Sequence, residues 1–228
     1  MLAAKEGEDS ASHRALSELC QSYWYPLYAH ARRADTKPAD AEDITQAFLE
    51  SLIKRNVFAR VTPGGGRLRS YLLKSMNHFL ASDLRNRTAL KRGGGQALIS
   101  IDQEMAEERY QFEPKGTEDP ELLYERRWAT LLLENVLAAL KQESEAKNKT
   151  SEFEALHPLL TPGAAEVSHR EIGEKLGVSE SAARIALYRM RQRYGDLLRA
   201  TISDTVVSEE DVADEISHLM KVFGARSN

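Results

Sequence analysis

Apolar positions recur at helical spacings along most of the chain, and nowhere with the strict alternation of a strand. Leu16, Leu19, Cys20, Tyr23, Leu27 and Ala31 line one face of a helix over 12–33, thickened by Trp24, Tyr25 and Tyr28. Pro26 removes an interior hydrogen bond there and predicts a bend or two helices. Ile44, Phe48 and Leu52 mark a helix over 41–54 with Asp40 as its cap. Leu68, Leu72, Met76, Phe79, Leu80 and Leu84 mark another over 67–87. Asp119 and Pro120 open a long helix running to about Gln142, through Leu122, Leu123, Trp128, Leu131, Leu132, Val136, Leu137 and Leu140. A last helix over 209–223 carries Val212, Ile216, Leu219, Met220 and Phe223 as its stripe. Between these, the acidic stretch 100–120 lacks periodicity and reads as mostly extended or disordered. EAKNKTSEFE reads as a polar connector, followed by a short helical turn over 156–160. The expected fold is all-α.

The most specific local pattern is SHREIGEKLGVSESAARIALYRMRQRY, residues 168–194. Ser168 followed by Glu171 is a capping box at a helix start. Ile172 and Leu176 form that helix's apolar face, and Gly177 suits a left-handed stop. Ser179 caps a second helix, in which Ala183, Leu187, Met190 and Tyr194 make the buried stripe. The other side carries Ser181, Arg184, Tyr188, Arg189 and Gln192, with arginines also at 191 and 193. Two short helices around a glycine turn form a helix-turn-helix, whose second helix can enter a DNA major groove. An ordinary helical hairpin with a solvated basic face is the competing reading, and four arginines in ten residues weigh against it.

Composition changes this picture through its distribution. The net charge of −4 over 228 residues looks wrong for a nucleic-acid binder. Yet residues 54–92 hold ten Lys or Arg against Asp83 alone, 102–125 hold nine acids against two bases, and 204–215 hold six acids and no base. Charge acts by segment, not by chain total. The helix over 67–87 exposes Arg67, Arg69, Tyr71, Lys74, Asn77, His78, Arg85 and Arg87, bases that track phosphates beside an aromatic on which a base can stack. The helix over 41–54 differs. Its second face mixes Glu42, Gln46 and Glu50 with Leu49 and Ile53, which favours a docking surface over deep burial.

Taken in order, these parts resemble an RNA polymerase sigma factor of the extracytoplasmic-function (ECF) type. DAEDITQAFLESLIKR (40–55) is similar to that family's polymerase-docking helix, GRLRSYLLKSMNHFLASDLRNR (66–87) to its promoter-melting helix, and HREIGEKLGVSESAARIALYRMRQRY (169–194) to its −35 reader. The resemblance spans roughly residues 12–200. It implies a polymerase-docking and −10 melting domain over 10–92, an acidic flexible linker over 93–118, a helix-turn-helix −35 domain over 119–202 and an acidic helical extension over 203–228. It also implies that Asp40, Glu42, Asp43, Gln46, Leu49, Glu50 and Ile53 meet the polymerase. Arg67, Arg69, Tyr71, Lys74, Asn77, His78, Arg85 and Arg87 would hold the opened −10 strand. Ser181, Arg184, Tyr188, Arg189 and Arg191 would line the −35 groove. Core RNA polymerase and promoter DNA are the implied partners, and the resemblance leaves room for an anti-sigma factor. Two departures stand out. Asn77-His78 replaces a common Arg-Asn, and Ile185-Ala186 replaces polar or basic residues in the reader helix, so shape readout carries more of its specificity.

Other classes fit less well. The glycine runs at 64–66 and 93–95 lack the Lys-Ser/Thr of a phosphate loop, and the six histidines never fall at metal-ligand spacing. No enzyme, metal or cofactor is expected. Lone Cys20, no span-length apolar run and no signal-peptide core at the N-terminus together fit a cytoplasmic protein that does not insert into a membrane. A helix-turn-helix regulator that binds duplex DNA without polymerase remains the alternative, and it leaves the helices over 40–55 and 67–87 without a task. The acidic helix over 204–223 is expected to fold back on a basic face and restrain DNA binding.

Overall fold

Every regular element among the described residues is helical. The computed structural model describes residues 20, 22–34, 36–55, 67–87, 103–111, 119–160, 168–206 and 208–224. They fall into two compact units. One holds the described residues up to Ala129 together with those from Val206 onward, and the other is Thr130–Thr205.

The first unit begins with α1 (22–33), which runs through Pro26 without a break in its helical assignment, so the expected split is not seen. Burial explains the tolerance: Tyr23, Trp24, Leu27 and Tyr28 are all at most 2% exposed, and each buried apolar side chain contributes about 1.5–3 kcal/mol. Trp24 stacks on Tyr28 with ring centroids 4.9 Å apart. Cys20 is buried in the same core, and desolvation pushes its thiol up to about 11, leaving it protonated and inert at neutral pH.

α2 is Pro38–Lys54, starting before the expected Asp40 cap. Pro38 takes the first helical position, where its missing N–H costs nothing, and Asp40 becomes a first-turn acid favoured by the helix dipole. α3 is Leu68–Arg87, with Leu68, Leu72, Leu73, Met76 and Leu80 buried. Phe48 of α2 meets Phe79 of α3 edge to face at 5.6 Å.

The acidic stretch departs from expectation, since Gln103–Gln111 is a helix, α4. Glu107 accepts hydrogen bonds from Arg32 Nη2 at 2.8 Å, Arg32 Nε at 2.9 Å and the Tyr28 hydroxyl at 2.6 Å. The Arg32 hydrogen bond holds the Glu107 carboxyl below its ordinary range. Arg32 also lies over Tyr110, and Arg109 over Tyr25. Charge pairing and cation–π contact anchor α4, with Ala106 buried among its described side chains.

α5 is Pro120–Ala146. Asp119 accepts from the Glu121 N–H at 3.0 Å, as expected of its cap. The start of α5 belongs to the first unit: Trp128 Nε1 donates to the Tyr23 hydroxyl at 3.2 Å, and the Tyr124 hydroxyl to the Arg69 carbonyl at 3.2 Å. α9, Glu209–Gly224, also belongs there, but not through the expected stripe. It buries Glu215, Leu219 and Val222, leaving Met220 at 68% and Phe223 at 46% exposure. A carboxylate replaces an aliphatic on the inner face because an arginine waits for it.

In the second unit the remainder of α5 is followed by Asn148, in left-handed conformation (φ 56°) at the turn. The expected connector then becomes α6, Thr150–Leu156, continued by a 3-10 turn over His157–Leu160. Phe153 and Leu156 pull it in, packing with Leu140, Ile172, Ala183, Leu187 and Met190 as one core. The remaining helices are α7, His169–Leu176, and α8, Glu180–Ser203.

Candidate nucleic-acid interface

The α7–turn–α8 segment is built by its own sequence. The Ser168 hydroxyl accepts from the Glu171 N–H at 3.2 Å, while the Glu171 carboxylate accepts from the Ser168 N–H at 3.3 Å, closing the capping box. Gly177 ends α7 at φ 68°, a conformation that costs most residues steric energy. Ser179 caps α8 by accepting from the Ala182 N–H at 3.2 Å. Gly173 allows the close turn, since a Cβ there would sit 2.8 Å from the Val178 carbonyl oxygen.

Ala183, Leu187 and Met190 point into the core, and Tyr194 is half-buried. The outward side presents Ser181, Arg184, Ile185, Tyr188 and Arg189, all exposed. The arginines divide by task. Arg193 pairs with Glu143, its Nε 2.8 Å from Oε2, and holds that carboxyl below its usual range. Arg191 donates to the Leu159 carbonyl at 3.2 Å. Arg184 and Arg189 make no ion pair or hydrogen bond with the described residues and remain available for phosphate or base contacts.

On α3 the expected set separates. Tyr71, Lys74 and His78 are exposed and share one face with half-buried Arg67. Asn77 faces inward, accepting from His30 Nε2 at 2.6 Å. Arg69 is the clear departure. It is 2% exposed, its Nε lies 3.0 and 3.1 Å from the two Glu215 oxygens, its Nη1 lies 2.5 Å from Glu125, and its guanidinium sits over Trp128 at 5.1 Å. Buried in this way, it does not present its guanidinium to the surface. It stands two positions from both Arg67 and Tyr71, which turns it to the opposite side of the helix. Arg67 itself lies 3.5 Å from Asp214 and 3.8 Å from Glu215. Of the basic stripe's lower end, the Arg85 and Arg87 side chains lie outside the described residues.

On α2, Asp43 is exposed and Glu42, Gln46, Glu50 and Ile53 are half-buried, so they can reach a partner. Leu49 departs from expectation, being 1% exposed in the unit's own core. The second apolar face is therefore narrower than the sequence implied. Burial, and next the charge of Asp43, raise the Glu42 carboxyl above its ordinary value. Crowded acids of this kind gain from a basic partner.

Glu215 and Glu125 were not among the expected site residues. An acid at the i+4 spacing from Leu219 on an apolar face was the available sign for Glu215. The described residues hold no cluster of His, Cys, Asp or Glu suited to a metal ion. None of their helices is long and apolar enough to cross a membrane.

A family model described as ECF sigma factor matches residues 3–200. No curated protein and no solved structure matches the chain.

Proposed function

The chain belongs to the ECF sigma factor family, whose members act with RNA polymerase in transcription initiation, and from that premise we propose how its surfaces divide the work. α2 docks core polymerase through Asp40, Glu42, Asp43, Gln46, Glu50 and Ile53. The Arg67–Tyr71–Lys74–His78 face of α3 holds the opened −10 strand, with lysine and arginine on phosphates and Tyr71 as a stacking platform. The helix-turn-helix takes the −35 duplex, with Arg184 and Ser181 towards base edges and Tyr188, Arg189 and Arg191 beside them. The single observation that carries this reading is the outward side of α8. It is a Ser179-capped, well-packed reader helix whose Arg184 and Arg189 make no ion pair or hydrogen bond with the described residues.

The test is direct. Mixed with sigma-free core polymerase at moderate salt, the chain forms a stable complex and supports run-off transcription from promoters selected out of random DNA. Absence of a complex would leave only a duplex-binding regulator. Two substitutions then assign the surfaces. Reversing charge with Glu42→Lys and Asp43→Lys weakens polymerase binding while helical content stays constant, because Asp43 is exposed, Glu42 is only half-buried and neither belongs to the buried stripe of α2. Arg184→Ala costs about 1–3 kcal/mol on −35 duplexes if the contact is bidentate to a base. Binding to scrambled duplexes separates the cases, since a phosphate contact would weaken all sequences alike.

A further inference from the structure

We infer that Ile185 is a base-reading residue, taking the 5-methyl group of a thymine in the −35 major groove. This rests on the reading of α8 as the −35 reader. The second unit exposes three large apolar side chains among its described residues: Val178 at 45%, Ile185 at 49% and Tyr188 at 64%. All three lie in the turn or the first half of the reader helix. Ile185 follows Ala183 by two residues and precedes Leu187 by two, so it projects about 160° away from each. That places it opposite the buried stripe, on the outermost line of the helix, with Arg184 before it and Ser181 one turn back.

Nothing inside the fold asks for isoleucine there. A β-branched side chain is a middling helix former, and exposed it gains no burial. A polar residue would serve the free protein better. The side chain gains only when something covers it, and its neighbours say what that is. Arg184 and Arg189, exposed and without partners among the described residues, bracket it with positive charge. An apolar protein surface fits that setting poorly, because it would have to bury both guanidinium groups. A DNA major groove fits it well, with phosphates for the arginines and, on its floor, one exposed apolar group, the thymine methyl. Ile185 therefore reads T·A against the other pairs at its position, through shape and apolar contact. Tyr188, three residues on and more exposed still, extends that apolar ridge toward the neighbouring step.

The experiment uses the full chain. Duplexes are first selected from random DNA by the protein, alone and with core polymerase. Each thymine of the selected −35 element is then replaced singly by deoxyuridine, which removes the methyl and leaves every hydrogen-bonding group in place. At one position, or two adjacent ones, the replacement weakens wild-type binding about fourfold, the factor that follows from about 0.8 kcal/mol for one buried methyl-sized group. Ile185→Ala loses a similar factor on the thymine duplex and becomes indifferent to deoxyuridine. Its melting temperature and its salt dependence stay those of the wild type, since the side chain is exposed and uncharged. Deoxyuridine effects that are equal in wild type and Ile185→Ala, or absent from both, overturn the inference and leave the promoter reading standing. Failure to select any duplex under either condition overturns the promoter reading, and this inference with it.

Discussion

Glu215→Ala destabilises the first unit by about 3 kcal/mol, the lower part of the range for removing one partner of a buried ion pair. Both side chains of the Arg69–Glu215 pair are 2% exposed, so water cannot replace the lost carboxylate. Glu125 stays within 2.5 Å of the guanidinium, which keeps the loss from being larger. Glu215→Gln retains an oxygen acceptor and costs less. Replacing Arg69 and Glu215 together by leucine and methionine recovers most of the loss, because the penalty comes from an uncompensated charge and not from missing volume. The measurement is convenient. The chain's two tryptophans, Trp24 and Trp128, both lie in the first unit, so the fluorescence midpoint in denaturant follows that unit alone. An unmoved midpoint in Glu215→Ala would mean that α9 is not held through this pair.

The same geometry refines the expectation that the acidic C-terminal helix restrains DNA binding. α9 meets α3 at its first turn, where Asp214 and Glu215 sit beside Arg67. Tyr71, Lys74 and His78 remain exposed, so the contact trims one end of the basic stripe and leaves its middle open. Deleting α9 frees Arg67 but also strips Arg69 of Glu215, mixing a gain in available charge with a loss of stability.

Leu187→Ala and Tyr188→Ala, adjacent in the chain, are expected to have opposite consequences. Leu187 is 4% exposed at the centre of the second unit's core, among Ile172, Ala183 and Met190. Truncating it costs about 2–5 kcal/mol through lost burial and the cavity left behind. Tyr188 is 64% exposed and its removal changes stability within about 0.5 kcal/mol, while lowering affinity for the −35 duplex. Since Thr130–Thr205 contains no tryptophan, Leu187→Ala lowers the far-ultraviolet dichroism transition of the second unit and leaves the tryptophan midpoint in place. A tryptophan midpoint that fell with it would show that the two units unfold as one.

Wherever the information is local, the residues state the outcome. The Ser168–Glu171 box, the left-handed Gly177 and the Ser179 cap involve groups at most a few positions apart, so short-range stereochemistry decides them. The buried stripe of α8 follows from helical period alone. The all-α class, the capped start of α5 and membership of the family, whose model matches residues 3–200, are likewise legible in the sequence. What tertiary structure decided concerns charged and amphipathic side chains whose partners lie far away in sequence. Arg69 reads as exposed from helical period, and Glu215, 146 residues on, and Glu125, 56 residues on, enclose it in the fold. Leu49 looked like a docking residue until the core closed over it. α4 had no apolar period to announce it, because Arg32, Tyr25 and Tyr28 hold it by charge and ring contacts. The inner face of α9 departs from its apolar stripe for the same reason, since a carboxylate is buried only where an opposing guanidinium offsets its desolvation. Periodicity tells which positions are apolar. It cannot tell which charges will find each other, and that is settled when the chain folds.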